Sequence, residues 1–254
     1  MNLRILGCSG GISGNRTTTS LLVDNDILID GGTGIGELDR EAMASIRHIF
    51  VTHSHLDHIA GIPMLIDTVF ENTHAPIILH AREETLATLK KNIFNWEVWP
   101  DFTELPNASN PVVKFEVMAP GEIVTLNQRR IEMIGVNHSV PGAGFRLQNG
   151  GKSFAFSGDT TSNDSFWSAL NQHNDLDILI VESAFADEDL ELSRKAYHYC
   201  PQLLAADLDK LNHRPEVYIT HMKPGYEDII IDQCRQQISN MGVNRLCGGD
   251  TFQL

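Results

Sequence analysis

No run of apolar residues approaches the roughly 18 to 20 that a membrane-crossing helix requires, so no membrane association is expected of this 254-residue chain. Basic residues are scarce as well. Lys and Arg total 19 against 33 Asp and Glu, a net charge of −14, and the few cations form no run. Such a surface repels a polyanion, which tilts against RNA or DNA as partner and towards a small anionic substrate whose charge is neutralised locally. Cysteine is sparse: Cys8, Cys200, Cys234 and Cys247 show no CxxC spacing and read as reduced thiols of a cytoplasmic protein. Ile5-Leu6-Gly7-Cys8 has the form of a lipoprotein processing box, but no apolar segment precedes it, so it reads as the end of a first strand. Repeats, linkers and low-complexity segments are absent. Residues 1–254 are therefore expected to form one domain, long enough to bury a substantial core.

What the chain does have is Thr52-His53-Ser54-His55-Leu56-Asp57-His58-Ile59-Ala60-Gly61, three imidazoles and a carboxylate within six residues. The apolar run Ile46 to Val51 before it reads as a strand, and Ile59 to Phe70 after it as a helix. His53 and His55, two apart in extended backbone, project to one side, and Asp57 and His58 turn back from the helix start. Neutral imidazole and carboxylate are ligands for zinc and its borderline neighbours, and subsets of such a cluster can hold two ions.

His-x-His-x-Asp-His after an apolar strand resembles the metallo-β-lactamase superfamily. The resemblance extends along the chain, because further strands end in His138, Asp159 and His221: Ile131 to Val136, Phe154 to Phe156 and Val217 to Thr220. It implies an α/β fold, a four-layer αββα sandwich with a dinuclear site. Residue by residue, it implies that His53, His55, His138 and Asp159 hold one metal and that Asp57, His58, Asp159 and His221 hold the other, with Asp159 bridging. The ions would be zinc, with manganese or iron(II) as alternatives. Asp30, closing the strand Ile27 to Ile29, would hydrogen-bond a ligand histidine and orient it.

Two cations near one water lower its pKa and clamp the oxygens of an in-line displacement at phosphorus; expelling the leaving oxygen still needs a proton source. His198, before a helix over Leu203 to Leu211, is the candidate acid, with Glu182 holding the imidazole protonated. Glu-Ser-Ala-Phe followed by such a histidine resembles the phosphodiesterase and tRNA 3′-processing endonuclease branches.

The aromatic concentration Phe94 to Thr103, with Trp96, Trp99 and Phe102, offers surfaces for stacking on a purine, a lid, or packing into a core or subunit interface. Its wording, Ile93-Phe94-Asn95 followed by Trp99-Pro100-Asp101-Phe102, is similar to the class II cyclic-nucleotide phosphodiesterases. Pro63 and Asp67 depart from that branch's pattern after the metal motif. The resemblance thus implies a metal-dependent hydrolase, often dimeric, that opens 3′,5′-cyclic nucleotides to 5′-monophosphates, with catalytic roles for His198, Asp57 and Glu182. The enzyme alternative is a tRNA 3′-processing endonuclease, disfavoured because residues 82–110 are aromatic and acidic rather than basic. A non-catalytic nucleotide-binding protein is the lesser alternative, since no presumed ligand is missing.

Overall fold

The computed structural model describes residues 1–72 and 75–254. The chain forms two compact units, and neither is one continuous piece. The first comprises Met1–Gly7, Thr17–Ala119 and Gly248–Gln253; the second comprises Cys8–Arg16 and Pro120–Cys247, with Leu254.

The first unit begins with strands β1 (Asn2–Gly7), β2 (Ser20–Val23), β3 (Ile27–Ile29), β4 (His48–Phe50), β5 (Ile77–Ala81) and β6 (Val113–Val117). The second holds β7 (Ile123–Leu126), β8 (Arg129–Val136), β9 (Gly142–Asn149), β10 (Lys152–Phe156), β11 (Ile178–Glu182), β12 (Glu216–Thr220) and β13 (Val243–Arg245). Finally β14 (Thr251–Gln253) returns to the first unit, whose sheet runs β14-β1-β2-β3-β4-β5-β6. The second sheet runs β7-β8-β9-β10-β11-β12-β13. Both are mixed on one plan: pairing is antiparallel from β14 to β3 and from β7 to β10, then parallel from β3 to β6 and from β10 to β13.

Among the described residues the first unit carries the α-helices α1 (Arg40–Ser45), α2 (Leu56–Ile59), α3 (Gly61–Val69) and α4 (Glu83–Asn92). Ile62, Leu65, Ile66 and Val69 recur at helical spacing on α3 and share a buried core with Ile49 of β4, Val51 just after it, and Ile77 and Leu79 of β5. The helix read over Ile59 to Phe70 is thus two pieces parted at Ala60. Pro63 sits in the first turn of α3, where its missing N–H leaves no hydrogen bond unmade.

The second unit carries α5 (Ser165–Leu170), α6 (Leu190–Ala196), α7 (Pro201–Leu208) and α8 (Glu227–Gln237). Trp167, Tyr199, Leu204, Leu208, Ile230 and Cys234 join Leu179, Val181, Val217 and Ile219 in its core. The parallel strand β11 is buried along its whole length, the continuous apolar run that such strands show. Pro201 opens α7 at its first helical position. Strands β7, β9, β13 and β14 and helices α5, α6 and α8 have no counterpart among the sequence expectations. The edge strands β13 and β14 are three residues each, too short for a period to show. Among the described residues no helix is long and apolar enough to cross a membrane.

Candidate metal centre

In the first unit the donors stand at the carboxyl ends of the parallel neighbours β3 and β4. Asp30 follows β3 in a left-handed conformation, φ 56°, with its amide donating to the Phe50 carbonyl at 2.8 Å. Its buried carboxylate accepts from the Thr52 amide at 2.8 Å, from the Thr52 hydroxyl at 2.8 Å and from His58 Nδ1 at 2.7 Å. Burial pushes this carboxyl above its usual range, opposed by His58 and the Thr52 bonds.

These bonds assign the imidazole tautomers. His58 gives its Nδ1 proton to Asp30, so Nε2 carries the lone pair. The Thr52 hydroxyl, whose hydrogen is given to Asp30, lies 3.0 Å from His53 Nδ1 and accepts there, which again turns the Nε2 lone pair outward. A side chain that orients the far nitrogen in this way is what metal-binding histidines require. The His53 ring lies 4.6 Å from that of His55 and 4.3 Å from that of His58, and Asp57 Oδ2 is 3.9 Å from His58 Nε2. The backbone 31–34 packs tightly here: a Cβ on Gly32 would fall 2.2 Å from the Asp57 carbonyl oxygen, an approach open to glycine alone.

In the second unit Asp159, Glu182 and His221 stand at the carboxyl ends of three adjacent parallel strands, β10, β11 and β12, the edge at which open α/β sheets gather their functional groups. His138 arrives from β8, its Nδ1 donating to the Tyr197 carbonyl at 2.9 Å, so that Nε2 is again the lone-pair nitrogen. His221 Nδ1 is 3.2 Å from Asp159 Oδ1. Asp159, Glu182 and His198 offer donor atoms all within 4.8 Å of one another.

His198 Nδ1 lies 2.7 Å from Glu182 Oε1, and Glu182 also accepts from the amides of Thr160 at 2.8 Å and Tyr199 at 3.3 Å. Burial alone would lower the pKa of His198. The charge and hydrogen bond of Glu182, aided by Asp159, outweigh burial and raise it. Burial in turn raises Glu182, against the pull of His198. The His198 ring is stacked on that of His221 at 5.3 Å and stands edge-on to that of His138 at 5.0 Å.

Each unit's imidazoles and carboxylates are donors suited to a divalent cation. The aromatic segment divides. Phe102 is 2% exposed and packs on Phe70 and Phe94 in the first unit's core, which corrects its reading as a substrate contact, since no ring face is left. Trp99 packs partly buried against the same core. Trp96 is 58% exposed at φ 67°, on a turn that Asn95 Oδ1 caps by accepting from the amides of Glu97 and Val98. The sequence assigns no role to Thr52, which opens the histidine motif, or to the Tyr197 carbonyl. A threonine directly before the first histidine is a findable signal; a main-chain carbonyl leaves none.

Residues 25–222 match the beta-lactamase superfamily domain. The chain belongs to that family. As a family member it is a hydrolase, and its fold is the metallo-β-lactamase α/β fold with two mixed sheets and helices, as its motif led us to expect. Among its relatives, a Yersinia pestis protein named "Probable 3′,5′-cyclic-nucleotide phosphodiesterase" is 25% identical over 94% of this chain and 84% of its own. A ribonuclease Z of Haloarcula marismortui is 24% identical, over 92% and 91% of the two chains. Unliganded yeast PDE1 matches with a TM-score of 0.84 over 100% of this chain and 99% of that one, at 18% identity, a likeness of fold.

Proposed function

We propose that this hydrolase is a metal-dependent 3′,5′-cyclic-nucleotide phosphodiesterase, with residues 1–254 working as one domain. The observation that carries the reading is the His198–Glu182 pair, an imidazole whose Nδ1 lies 2.7 Å from a buried carboxylate, beside Asp159. Opening a cyclic phosphodiester releases an alkoxide, which needs a proton as the P–O bond breaks, and His198 is the group poised to give it.

His53, His55, His138 and Asp159 would hold one divalent ion, and Asp57, His58, Asp159 and His221 a second; zinc suits the donor set best. Bound there, such ions supply Lewis-acid charge and a water of lowered pKa. The chain's own residues do the rest. Asp30 and Thr52 hold His58 and His53 in the tautomer that presents Nε2, and Tyr197 does so for His138. In this reading Asp57 takes the proton of the attacking water, and Glu182, hydrogen-bonded to His198, aims its imidazole for donation.

A net charge of −14 favours a small substrate over a polyanion, and the exposed Trp96 offers an aromatic face to a base. Four free thiols fit a reducing compartment such as the cytoplasm, and a homodimer belongs to the same reading. The ribonuclease Z relatives favour one rival, cleavage of RNA 3′ ends.

The test is hydrolysis by metal-replete protein offered cyclic AMP, cyclic GMP and an unprocessed tRNA, with Asp159→Ala as control. Cyclic-nucleotide turnover lost in the control supports the proposal. Cleavage of tRNA alone, with binding that weakens steeply in salt, would overturn it in favour of the rival.

A further inference from the structure

Asp207, on the last turn of α7, is a buried carboxylate that is bonded to none of the candidate ligands, yet its hydrogen-bond partners lead to the segments that carry His138, Asp159 and His198 in the second unit. Its Oδ2 accepts from the Tyr199 hydroxyl at 2.7 Å, from Trp167 Nε1 at 3.1 Å and from the Asn163 amide at 3.0 Å. Its Oδ1 lies 2.9 Å from Lys210 Nζ. Three neutral donors and a cation on one carboxylate in a core are more than stability alone calls for, since a buried charge is costly and an apolar residue of equal volume packs as well.

Two arms leave this hub. Through Tyr199 it holds residues 197–199. There the Tyr197 carbonyl takes the His138 Nδ1 proton at 2.9 Å, the Ser193 hydroxyl donates to the His198 carbonyl at 2.7 Å, and the Tyr199 amide reaches Glu182 at 3.3 Å. Tyr197 turns this strap in the left-handed region, φ 59°, a conformation that costs a bulky residue free energy and persists where surroundings enforce it. Through Asn163 the hub reaches the other side. Asn163 Nδ2 donates to Thr160 Oγ1 at 3.1 Å and to the Thr161 carbonyl at 2.9 Å, while the Thr160 hydroxyl donates to the Asn137 carbonyl at 3.1 Å. Thr160 is joined to Asp159 and Asn137 to His138 by the chain itself. The Thr160 amide closes the circuit on Glu182.

We propose that Asp207 is a positioning residue with Tyr199 and Asn163 as its arms: the first sets the aim of His198 and reaches the His138 ring through the Tyr197 carbonyl, and the second places the backbone that carries His138 and Asp159. The inference rests on the phosphodiesterase reading for its substrate only.

Tyr199→Phe cuts one arm and leaves the other three bonds of Asp207 in place; Asp207→Asn weakens both. The assay compares cyclic AMP, whose alkoxide leaving group needs a proton, with bis(p-nitrophenyl) phosphate, whose nitrophenolate does not. Tyr199→Phe is expected to lose about tenfold more on cyclic AMP than on the nitrophenyl ester, and Asp207→Asn to lose about 10- to 100-fold on both. A structural role alone would lower both substrates together in Tyr199→Phe. A second readout needs neither turnover nor metal: nuclear magnetic resonance of the His198 and His138 ring protons in the metal-free protein. The His198 Nδ1 proton facing Glu182 should shift in both variants. Unmoved ring signals in both variants, or equal losses on the two esters in Tyr199→Phe, would overturn the proposal. Wild-type turnover of the nitrophenyl ester without cyclic AMP would sink the substrate reading instead, while the ring signals still judge the positioning. Should Tyr199→Phe not fold, Asn163→Ser tests the other arm by the same signals, with His138 shifting more than His198.

Discussion

The first unit gathers His53, His55, Asp57 and His58 behind one strand, whereas in the second His138, Asp159, Glu182 and His221 each arrive on a strand of their own. The sheets that carry them share one plan of antiparallel then parallel pairing. What differs is how each cluster is held. A short contour needs little bracing, and Asp30 and Thr52 suffice. Donors from four strands are independent of one another along the chain, and the second unit answers with bridges between segments: Tyr197 to His138, Glu182 to His198, and Asp207 behind both. The buried histidine–carboxylate pairs divide likewise, His58 with Asp30 in the first unit and His198 with Glu182 in the second.

The sharpest way to break this comparison is His198→Ala. It should lower cyclic-nucleotide turnover by about 10²- to 10⁴-fold while leaving metal content, read by atomic emission, unchanged. Metal loss with that variant would show that His198 is a ligand rather than the proposed acid. Next in size, Phe102→Ala should cost about 3–5 kcal/mol in denaturant unfolding, the price of a core cavity, and Trp96→Ala no more than about 0.5 kcal/mol. Similar values for the two would dissolve the division drawn within the aromatic segment.

Asp30→Asn probes the first unit's brace. The amide keeps the shape but presents a donor where His58 also donates, and metal affinity should fall about 10- to 100-fold, read by competition with a chromophoric chelator. An unchanged affinity would mean that the compact cluster needs no such support.

The smallest effect sharpens the contrast between histidines. His80 Nε2 lies 3.0 Å from His48 Nδ1, and its ring stacks on Phe50 at 4.4 Å. Burial, and then the charge of His48, push its pKa from 6.5 down to about 4, whereas His198 is pushed up. Between those two values the unfolded chain binds more protons than the folded one, so stability is present above 6.5 and is lost as pH falls towards 4. The linkage is worth at most about 3–4 kcal/mol and nearer 1–2 once residual solvent screening is discounted. His80→Gln should flatten this slope in urea titrations from pH 7 to pH 4; an unchanged slope would assign the effect to another group.

Legibility followed the same division. The strands ending in His53, His138, Asp159 and His221, and Asp30 closing β3, could be read because apolar runs that stop at a polar residue mark sheet edges. The break at Ala60 could not, since α2 and α3 share one apolar pattern across it. Nor could the burial of Phe102: an aromatic residue in a polar-flanked segment carries no sign of whether its ring meets Phe94 or solvent.

By itself the sequence determined the donor types, their order and the family they signal, because imidazole and carboxylate chemistry and the period of a strand are local properties. Only the tertiary structure decided which imidazole nitrogen faces outward, that Glu182 raises His198, and that Asp207 joins both arms of the second unit. Those outcomes depend on hydrogen bonds between residues far apart in the chain, such as Asn163 with Asp207 and Tyr197 with His138, whose partners are fixed by packing rather than by spacing.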